Sequence, residues 1–384
     1  MESTNLSPEE LTRYARHLAL PLVGVEGQRR LKAASVLCIG TGGLGSPAAL
    51  YLAAAGVGRI GLVDADTVEL SNLQRQILHG TGDLGRKKVL SACDSLREVN
   101  PLVKVDLYDT QFRAGNAMGI AADYDVVLDG TDNFATRYLS NDICVFLKKP
   151  NIYGSILRFD GQCSVFAPHL GGPCYRCMLP EPPPAGSVPA CAEGGVLGVL
   201  PGIIGTMQAI EAIKLILGIG EPLVGRLIHF DALKFKFREF QLRKDPRCPV
   251  CGEHPSITEP VDYDRFCRVP ALQSRTEAGE GTLSVSALKA KLDAGERFLL
   301  LDVREPFEWD ICHIPGAQLI PLGSLPLRMN ELDRSGAIAL LCKSGVRSAK
   351  ALELLKGAGF TRLSNVEGGI AAWAREVDLE MARY

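Results

Sequence analysis

Three groups of residues in this 384-residue chain have types and spacings that could do chemistry. The first is the loop Gly40-x-Gly42-Gly43-x-Gly45, set between the apolar run "SVLCI" and the small-residue run "SPAALYLAAAG". Glycines there let backbone N–H groups at a helix N-terminus approach phosphate oxygens, and an acid about twenty residues on, here Asp64, falls where it could hold ribose hydroxyls. That pattern fits NAD and ATP alike. The residues that follow separate the two: "DADTVELSNLQRQ" carries Asn72, Arg75 and Gln76, "LGRKK" carries Lys88, and "DGTDN" carries Asp132 and Asn133. Hydride transfer does not need cations and a carboxylate converging on the phosphates. Nucleotidyl transfer does, because cations neutralise charge growing on the α-phosphate and the leaving pyrophosphate while a carboxylate such as Asp132 can hold Mg²⁺. The loop therefore predicts ATP, with a dehydrogenase and a non-catalytic adaptor as rival readings.

The second group lies among the twelve cysteines. Cys174 and Cys177 form one C-x-x-C, and Cys248 and Cys251 form another about seventy residues on. Equal spacing in both halves predicts a closed, structural Zn²⁺ site of four thiolates; a redox dithiol would need a thioredoxin-like setting, which is absent. Cys191, in the Pro/Gly-rich "SVPACAEGGVLG", is a candidate nucleophile near an activated acyl group. Cys38, inside a strand pattern, reads as a small buried hydrophobe.

The third group is "AIALLCKSGVRSAKALELL", an apolar strand ending at Cys342, a five-residue turn to Arg347, and a helix. Backbone N–H groups and the helix N-terminus would face the sulfur, with Lys343 and Arg347 adding positive charge, a setting that favours a thiolate.

The elements that must position these groups alternate strand and helix. "ASVLCIG", "RIGLVDAD" and "DVVLDGTDN" read as parallel strands, the last ending in polar residues where open α/β sheets gather their ligands. Ser7-Pro8-Glu9-Glu10 combines an N-cap, a first-turn proline and a capping-box glutamate, and predicts a helix carrying Arg13, Arg16 and His17. A polar, proline-bearing stretch without periodicity follows Cys251, and a second strand–helix alternation starts near Leu283. The expected organisation is residues 1–257, a linker over 258–281, and a smaller domain over 282–384.

A formal net charge of -2 gives no general attraction to nucleic acid or anionic lipid. The N-terminal stretch lacks the pattern of a secretory signal, which predicts a cytoplasmic protein. The apolar run Gly194 to Met207 falls short of the roughly 20 residues a membrane span needs and is broken by Gln208, Glu211 and Lys214, so a buried helix is expected.

On "RYARH", "GTGGLGS", "DADTVELSNLQRQ", "DGTDNFATR", the C-x-x-C pairs and "CAEGGVLG", the chain from about Leu6 to Glu253 resembles the MoeB/ThiF adenylyltransferases. These relatives of ubiquitin-activating enzymes activate the C-terminal Gly-Gly of ubiquitin-like sulfur carrier proteins. The resemblance implies that Gly42 and its neighbours hold ATP phosphates, Asp64 the ribose and Asp132 Mg²⁺, with Asn72, Arg75 and Lys88 around the triphosphate. It also implies a homodimer in which Arg16 reaches the site of a second subunit. On "LLDVREPFEWDICHIPGAQLIPL" and "CKSGVRS", Leu283 to Trp373 resembles a rhodanese domain, with Cys312 where that family usually has glycine. This second resemblance implies that Cys342 carries a persulfide from a cysteine-desulfurase-like persulfide donor. The expected fold is α/β throughout, a Rossmann-like adenylation domain with a structural zinc site plus a smaller α/β rhodanese domain. The expected product is a carrier thiocarboxylate, with activation of a ubiquitin-like modifier for conjugation as the alternative. Proteins of this sort serve molybdopterin, thiamine, cysteine and tRNA-thiolation pathways.

Overall fold

A computed structural model describes residues 5–182, 194–263 and 281–384. The chain divides into two compact units, Met1–Ala271 and Leu272–Tyr384.

The first unit is built on an eight-stranded sheet in the order β3-β2-β1-β4-β5-β6-β7-β8. Its strands are β1 (Ser35–Ile39), β2 (Arg59–Val63), β3 (Lys104–Tyr108), β4 (Val126–Asp129), β5 (Asn151–Leu157), β6 (Asp160–Phe166), β7 (Arg226–Asp231) and β8 (Lys236–Gln241). From β3 to β5 the pairing is parallel; β5 to β8 run antiparallel. All five residues of β1 are buried, as an apolar run covered on both faces requires. Strand order reverses between β1 and β4, so their carboxyl ends open a crevice at the point where such sheets bind ligands.

The helix Leu200–Leu217 explains the apolar run that follows Gly194. It has a mean hydropathy of 1.4 and could cross a membrane by length and composition alone, yet half of it is buried in this unit. Its polar residues are the reason it fits: Gln208 donates to the carbonyls of Asp129 (2.8 Å) and Ile152 (3.0 Å), and Glu211 accepts from Leu223 N–H (2.8 Å). These bonds satisfy the Gln208 amide N–H groups and the Glu211 carboxylate, while Gln208 Oε1 is buried without a partner.

Two expectations about the edges of this unit change. The Ser7 capping box forms, with Glu10 N–H donating to Ser7 Oγ and Ser7 N–H to Glu10 Oε2, but the helix stops at Arg13. Tyr14 is its C-cap, buried with its hydroxyl accepting from Asn100 Nδ2 (2.8 Å), and Arg16 and His17 sit in a separate short helix, Ala15–Leu18. At the other edge, the stretch read as linker from 258 still packs on this unit at Tyr263. That ring is buried, its hydroxyl donates to Asp142 Oδ2, and Arg176 donates to the same hydroxyl (2.6 Å).

The second unit has a five-stranded parallel sheet ordered β11-β10-β12-β13-β9. Its strands are β9 (Thr282–Leu283), β10 (Leu299–Asp302), β11 (Gln318–Leu319), β12 (Ile338–Leu341) and β13 (Leu363–Val366). The central strand β12, "IALL", is fully buried and ends one residue before Cys342.

Candidate functional site

In the first unit a cavity of about 330 Å³ opens at the ends of β1 and β4. Gly40, Gly42, Gly43, Asp64, Arg75, Gln76, Lys88, Asp132 and Asn133 all line it. Gly40 has φ +89°, which side-chain-bearing residues rarely adopt, and a Cβ on Gly45 would stand 2.0 Å from the Gly40 carbonyl oxygen. The Gly45 contact makes a direct prediction. Gly45→Ala must push the loop off the helix N-terminus and destabilise this unit by about 1–3 kcal/mol, read as a fall in its thermal midpoint; an unchanged midpoint would refute the close approach.

The loop is held from three sides. Asp64 Oδ2 accepts from both the N–H and the hydroxyl of Thr41 (2.9 Å each), and its Oδ1 accepts from Asp66 N–H (3.0 Å). The Thr41 carbonyl accepts from Ser46 Oγ and from His79 Nε2, both at 3.1 Å. That carbonyl can only accept, so Nδ1 of a neutral His79 accepts from Ser91 Oγ (2.9 Å). Burial holds the His79 pKa below its ordinary value, consistent with that neutral form.

Cations line the same cavity. Lys88 is nearly buried and its Nζ sits 3.0 Å from Asp66 Oδ2, while Arg75 donates to the Ser71 carbonyl (3.0 Å). Gln76 is buried with its Oε1 unpaired. Asp132 is exposed in a loop organised by Asp129, which accepts from the Thr131 N–H (3.0 Å) and hydroxyl (2.6 Å) and from Ser140 Oγ (2.5 Å). Asn133 caps the helix Phe134–Phe146 by accepting from Thr136 N–H (2.9 Å). Two expected residues are not on the wall. Asn72 accepts from Glu69 N–H (3.4 Å) and donates to Ser71, and Arg16 is exposed on its short helix. Gln111, Arg113 and Arg137 do line the cavity, and sequence reasoning missed them. Arg137 was visible in "DGTDNFATR" but carried no spacing of its own.

Cys174, Cys177, Cys248 and Cys251 come together with all four Sγ atoms within 4.8 Å of one another. Cys174 and Cys248 are 3.5 Å apart and Cys177 and Cys251 3.4 Å, close to the ~3.8 Å edge of a tetrahedron with metal–sulfur bonds of about 2.3 Å. The cluster is able to hold a metal ion. Cys38, by contrast, is wholly buried and its thiol is pushed up to about 12 by desolvation, an inert core residue.

In the second unit Cys342 Sγ accepts from Gly345 N–H (3.1 Å) and Ser348 Oγ (3.2 Å). The helix begins at Val346 after Gly345 (φ +93°), so Arg347 lies in its first turn and the connecting turn is shorter than the sequence suggested. The two cations are also engaged elsewhere. Arg347 donates twice to Glu308 (2.5 and 2.7 Å), and Lys343 Nζ lies 4.6 Å from the centre of the Tyr384 ring. Ser348, the last residue of "CKSGVRS" but given no role by the sequence reading, is the side chain that bonds the sulfur. Cys312 is half-buried with its thiol raised by desolvation, and its carbonyl accepts from Arg304 (2.9 Å). Cys191 lies outside the described residues.

Comparison with known proteins decides between the nucleotide readings. The ThiF family model matches residues 14–250, and the rhodanese-like domain model matches residues 284–376. The chain belongs to the ThiF family. This ThiF-family chain is 50% identical to the probable adenylyltransferase/sulfurtransferase MoeZ of Mycobacterium tuberculosis (strain ATCC 25618 / H37Rv), across 99% of this chain and 96% of that one. It is 45% identical to the adenylyltransferase and sulfurtransferase MOCS3 of Sus scrofa, across 99% and 89%. The crystal structure of E. coli MccB with ATP superposes with a TM-score of 0.54 at 23% identity, covering 62% of this chain and 74% of that one, which speaks to fold alone. The ThiF-family protein is an adenylyltransferase joined to a sulfurtransferase, and the dehydrogenase and adaptor readings fall away.

Proposed function

We propose that this enzyme uses ATP to adenylate the C-terminal Gly-Gly of a ubiquitin-like sulfur carrier protein and then delivers sulfur from Cys342 to give a C-terminal thiocarboxylate. One observation carries the reading: a single chain holds a cation-lined glycine-loop cavity and a cysteine whose sulfur accepts two hydrogen bonds in a strand-to-helix turn.

In the first step a carboxylate oxygen of the carrier attacks the α-phosphorus of ATP, and pyrophosphate leaves. The Gly40–Gly45 loop offers N–H groups to phosphate oxygens, Asp64 takes a ribose hydroxyl, and Arg75, Gln76 and Lys88, with Asn133, surround the triphosphate, while Asn72, off the wall, shapes the turn that carries Arg75. Asp132 is the ligand we assign to Mg²⁺, which when bound supplies neutralising charge to the phosphates. The carboxylate oxygen, a poor leaving group by itself, now departs as AMP. In the second step the terminal sulfur of a Cys342 persulfide, loaded by a persulfide donor of cysteine-desulfurase type, attacks the acyl carbon and AMP leaves. The acyl disulfide is opened by the Cys191 thiolate attacking Cys342 Sγ. Thiocarboxylate departs, and an external dithiol reductant reopens the Cys191–Cys342 disulfide.

The four clustered thiolates hold Zn²⁺ as a structural ion, since four sulfur ligands leave no position for a substrate. The active species in this reading is a cytoplasmic homodimer. An apolar groove lined by His17, Tyr51, Ala55, Ile210 and Ile213 is the face assigned to the second copy, and Arg16, one residue from His17, reaches that copy's ATP site.

The test is mass spectrometry of candidate carriers after incubation with ATP and a persulfide donor. The expected product has sulfur in place of one oxygen; carrier joined to a protein amine instead would favour conjugation and overturn the reading. Asp132→Ala is expected to slow carrier-dependent ATP–pyrophosphate exchange by about 10²–10³-fold. Because Asp132 is exposed, the fold should persist, and wild-type exchange in the variant would refute its assignment.

A further inference from the structure

We propose that Tyr384 is a positioning residue for sulfur transfer, tying both ends of the Cys342 turn to the buried Asp302–Arg304 pair beside it; this rests on the reading that Cys342 carries the sulfur. The hydroxyl of Tyr384 donates to Glu308 Oε1 (2.9 Å) and accepts from Arg304 Nη1 (2.7 Å). Arg304 is wholly buried and paired with the equally buried Asp302 (2.6 Å) at the end of β10. Glu308, 3% exposed, uses the same Oε1 to accept from Arg347 Nη2 (2.7 Å). A continuous chain therefore runs from Asp302 through Arg304, Tyr384 and Glu308 to Arg347, in the first turn of the helix whose Ser348 bonds Cys342 Sγ.

The ring of the same residue acts on the other end of the turn. Lys343, immediately after Cys342, places its ammonium 4.6 Å from the ring centre, within the range of a cation–π contact. One side chain thus restrains Lys343 directly and Arg347 through Glu308. Between those two residues lies Gly345, whose N–H is the other donor to the sulfur. Loosening either restraint lets the donors drift from Sγ, and nucleophile placement is sensitive to displacements of about 1 Å. Sequence inspection gives no hint of this role, because Tyr384 lies 42 positions from Cys342 and belongs to no motif.

The roles of ring and hydroxyl are separable in the full-length protein, with thiosulfate as donor and cyanide as acceptor. Cys342 takes the outer sulfur of thiosulfate as sulfite leaves, and cyanide removes it as thiocyanate. With kcat expressed per titratable Cys342 thiol, Tyr384→Phe keeps the ring and should lose about threefold, and Tyr384→Ala should lose about tenfold or more. In a Glu308→Gln background the Phe substitution should cost less than about 1.5-fold, because the hydroxyl acts through that carboxylate. A merely structural tyrosine would lower both backgrounds by the same factor. Should the Ala variant not fold, the Phe pair alone decides. Wild-type kcat in Tyr384→Phe, or an equal loss in both backgrounds, overturns the proposal. Cys342→Ser runs alongside: sulfur transfer surviving in it sinks the underlying reading instead, whereas a dead Cys342→Ser beside a normal Tyr384→Phe sinks this inference alone.

Discussion

Cys342→Ala is expected to release pyrophosphate in the presence of carrier and ATP at the wild-type rate while making no thiocarboxylate from a persulfide donor. The reason is where each group sits. The ATP cavity is lined entirely by residues of the first unit, none of them later than Ile156, so an alanine in the β12 turn of the second unit leaves it untouched. Alanine removes the one atom on that turn able to hold sulfane sulfur, and two donors, Gly345 N–H and Ser348 Oγ, lose their acceptor. The turn itself should survive, because Gly345 keeps its positive φ and the Arg347–Glu308 pair is independent of the sulfur. Inorganic sulfide at high concentration should restore part of the product, since hydrosulfide can attack the acyl-adenylate directly, though without the effective concentration of a tethered nucleophile. Loss of pyrophosphate release in a folded Cys342→Ala protein would mean that the two units do not divide the work. Normal product from the persulfide donor would pass the sulfur-carrying role to another thiol, Cys191 first.

The parts of these sites legible in the sequence are those where the backbone or a ligand demands a residue type. Only glycine meets the φ of Gly40 and the close contact of Gly45 without strain, so the loop leaves its trace in the letters. Paired C-x-x-C spacing does the same for the thiol cluster, because one turn between two cysteines sets both sulfurs on the same side. What stayed hidden depends on contacts between distant positions. Positive charge near Cys342 was read from Lys343 and Arg347, but Glu308 lies 39 positions before Arg347 and claims its guanidinium in two hydrogen bonds. No local pattern announces such a pair. The helix break at Tyr14 is similar: the capping box predicts a start, whereas the stop falls at a buried tyrosine whose hydroxyl bonds Asn100, 86 positions on. The antiparallel half of the first sheet likewise follows from hairpin pairing between β5 and β6 rather than from any motif.

Replacing one thiolate of the four-cysteine cluster should have the largest effect on stability. Cys174 and Cys177 follow β6, Cys248 and Cys251 follow β8, and the cluster closes 74 residues of chain between partners such as Cys174 and Cys248. The first cysteine pair flanks Arg176, whose guanidinium holds the buried Asp142 and the Tyr263 hydroxyl, so the cluster's geometry is continuous with the core of the first unit. A structural Zn²⁺ site can contribute on the order of 10 kcal/mol to folding, comparable with the roughly 5–15 kcal/mol that a whole domain usually has. Serine in place of Cys174 or Cys251 offers a harder, protonated oxygen to the metal and leaves the remaining sulfurs crowded in a buried space. The first unit of either variant should therefore purify without metal and unfold at a much lower temperature, with adenylation lost alongside. The second unit has its own core around Leu301, Leu340 and Phe360, so thiosulfate-to-cyanide transfer by Cys342 should persist in the same sample. Metal analysis of the wild-type protein should find one zinc per chain. A wild-type protein that is folded, active and free of zinc would defeat the assignment, and a Cys174→Ser protein with unchanged unfolding would show that the cluster closes without the ion.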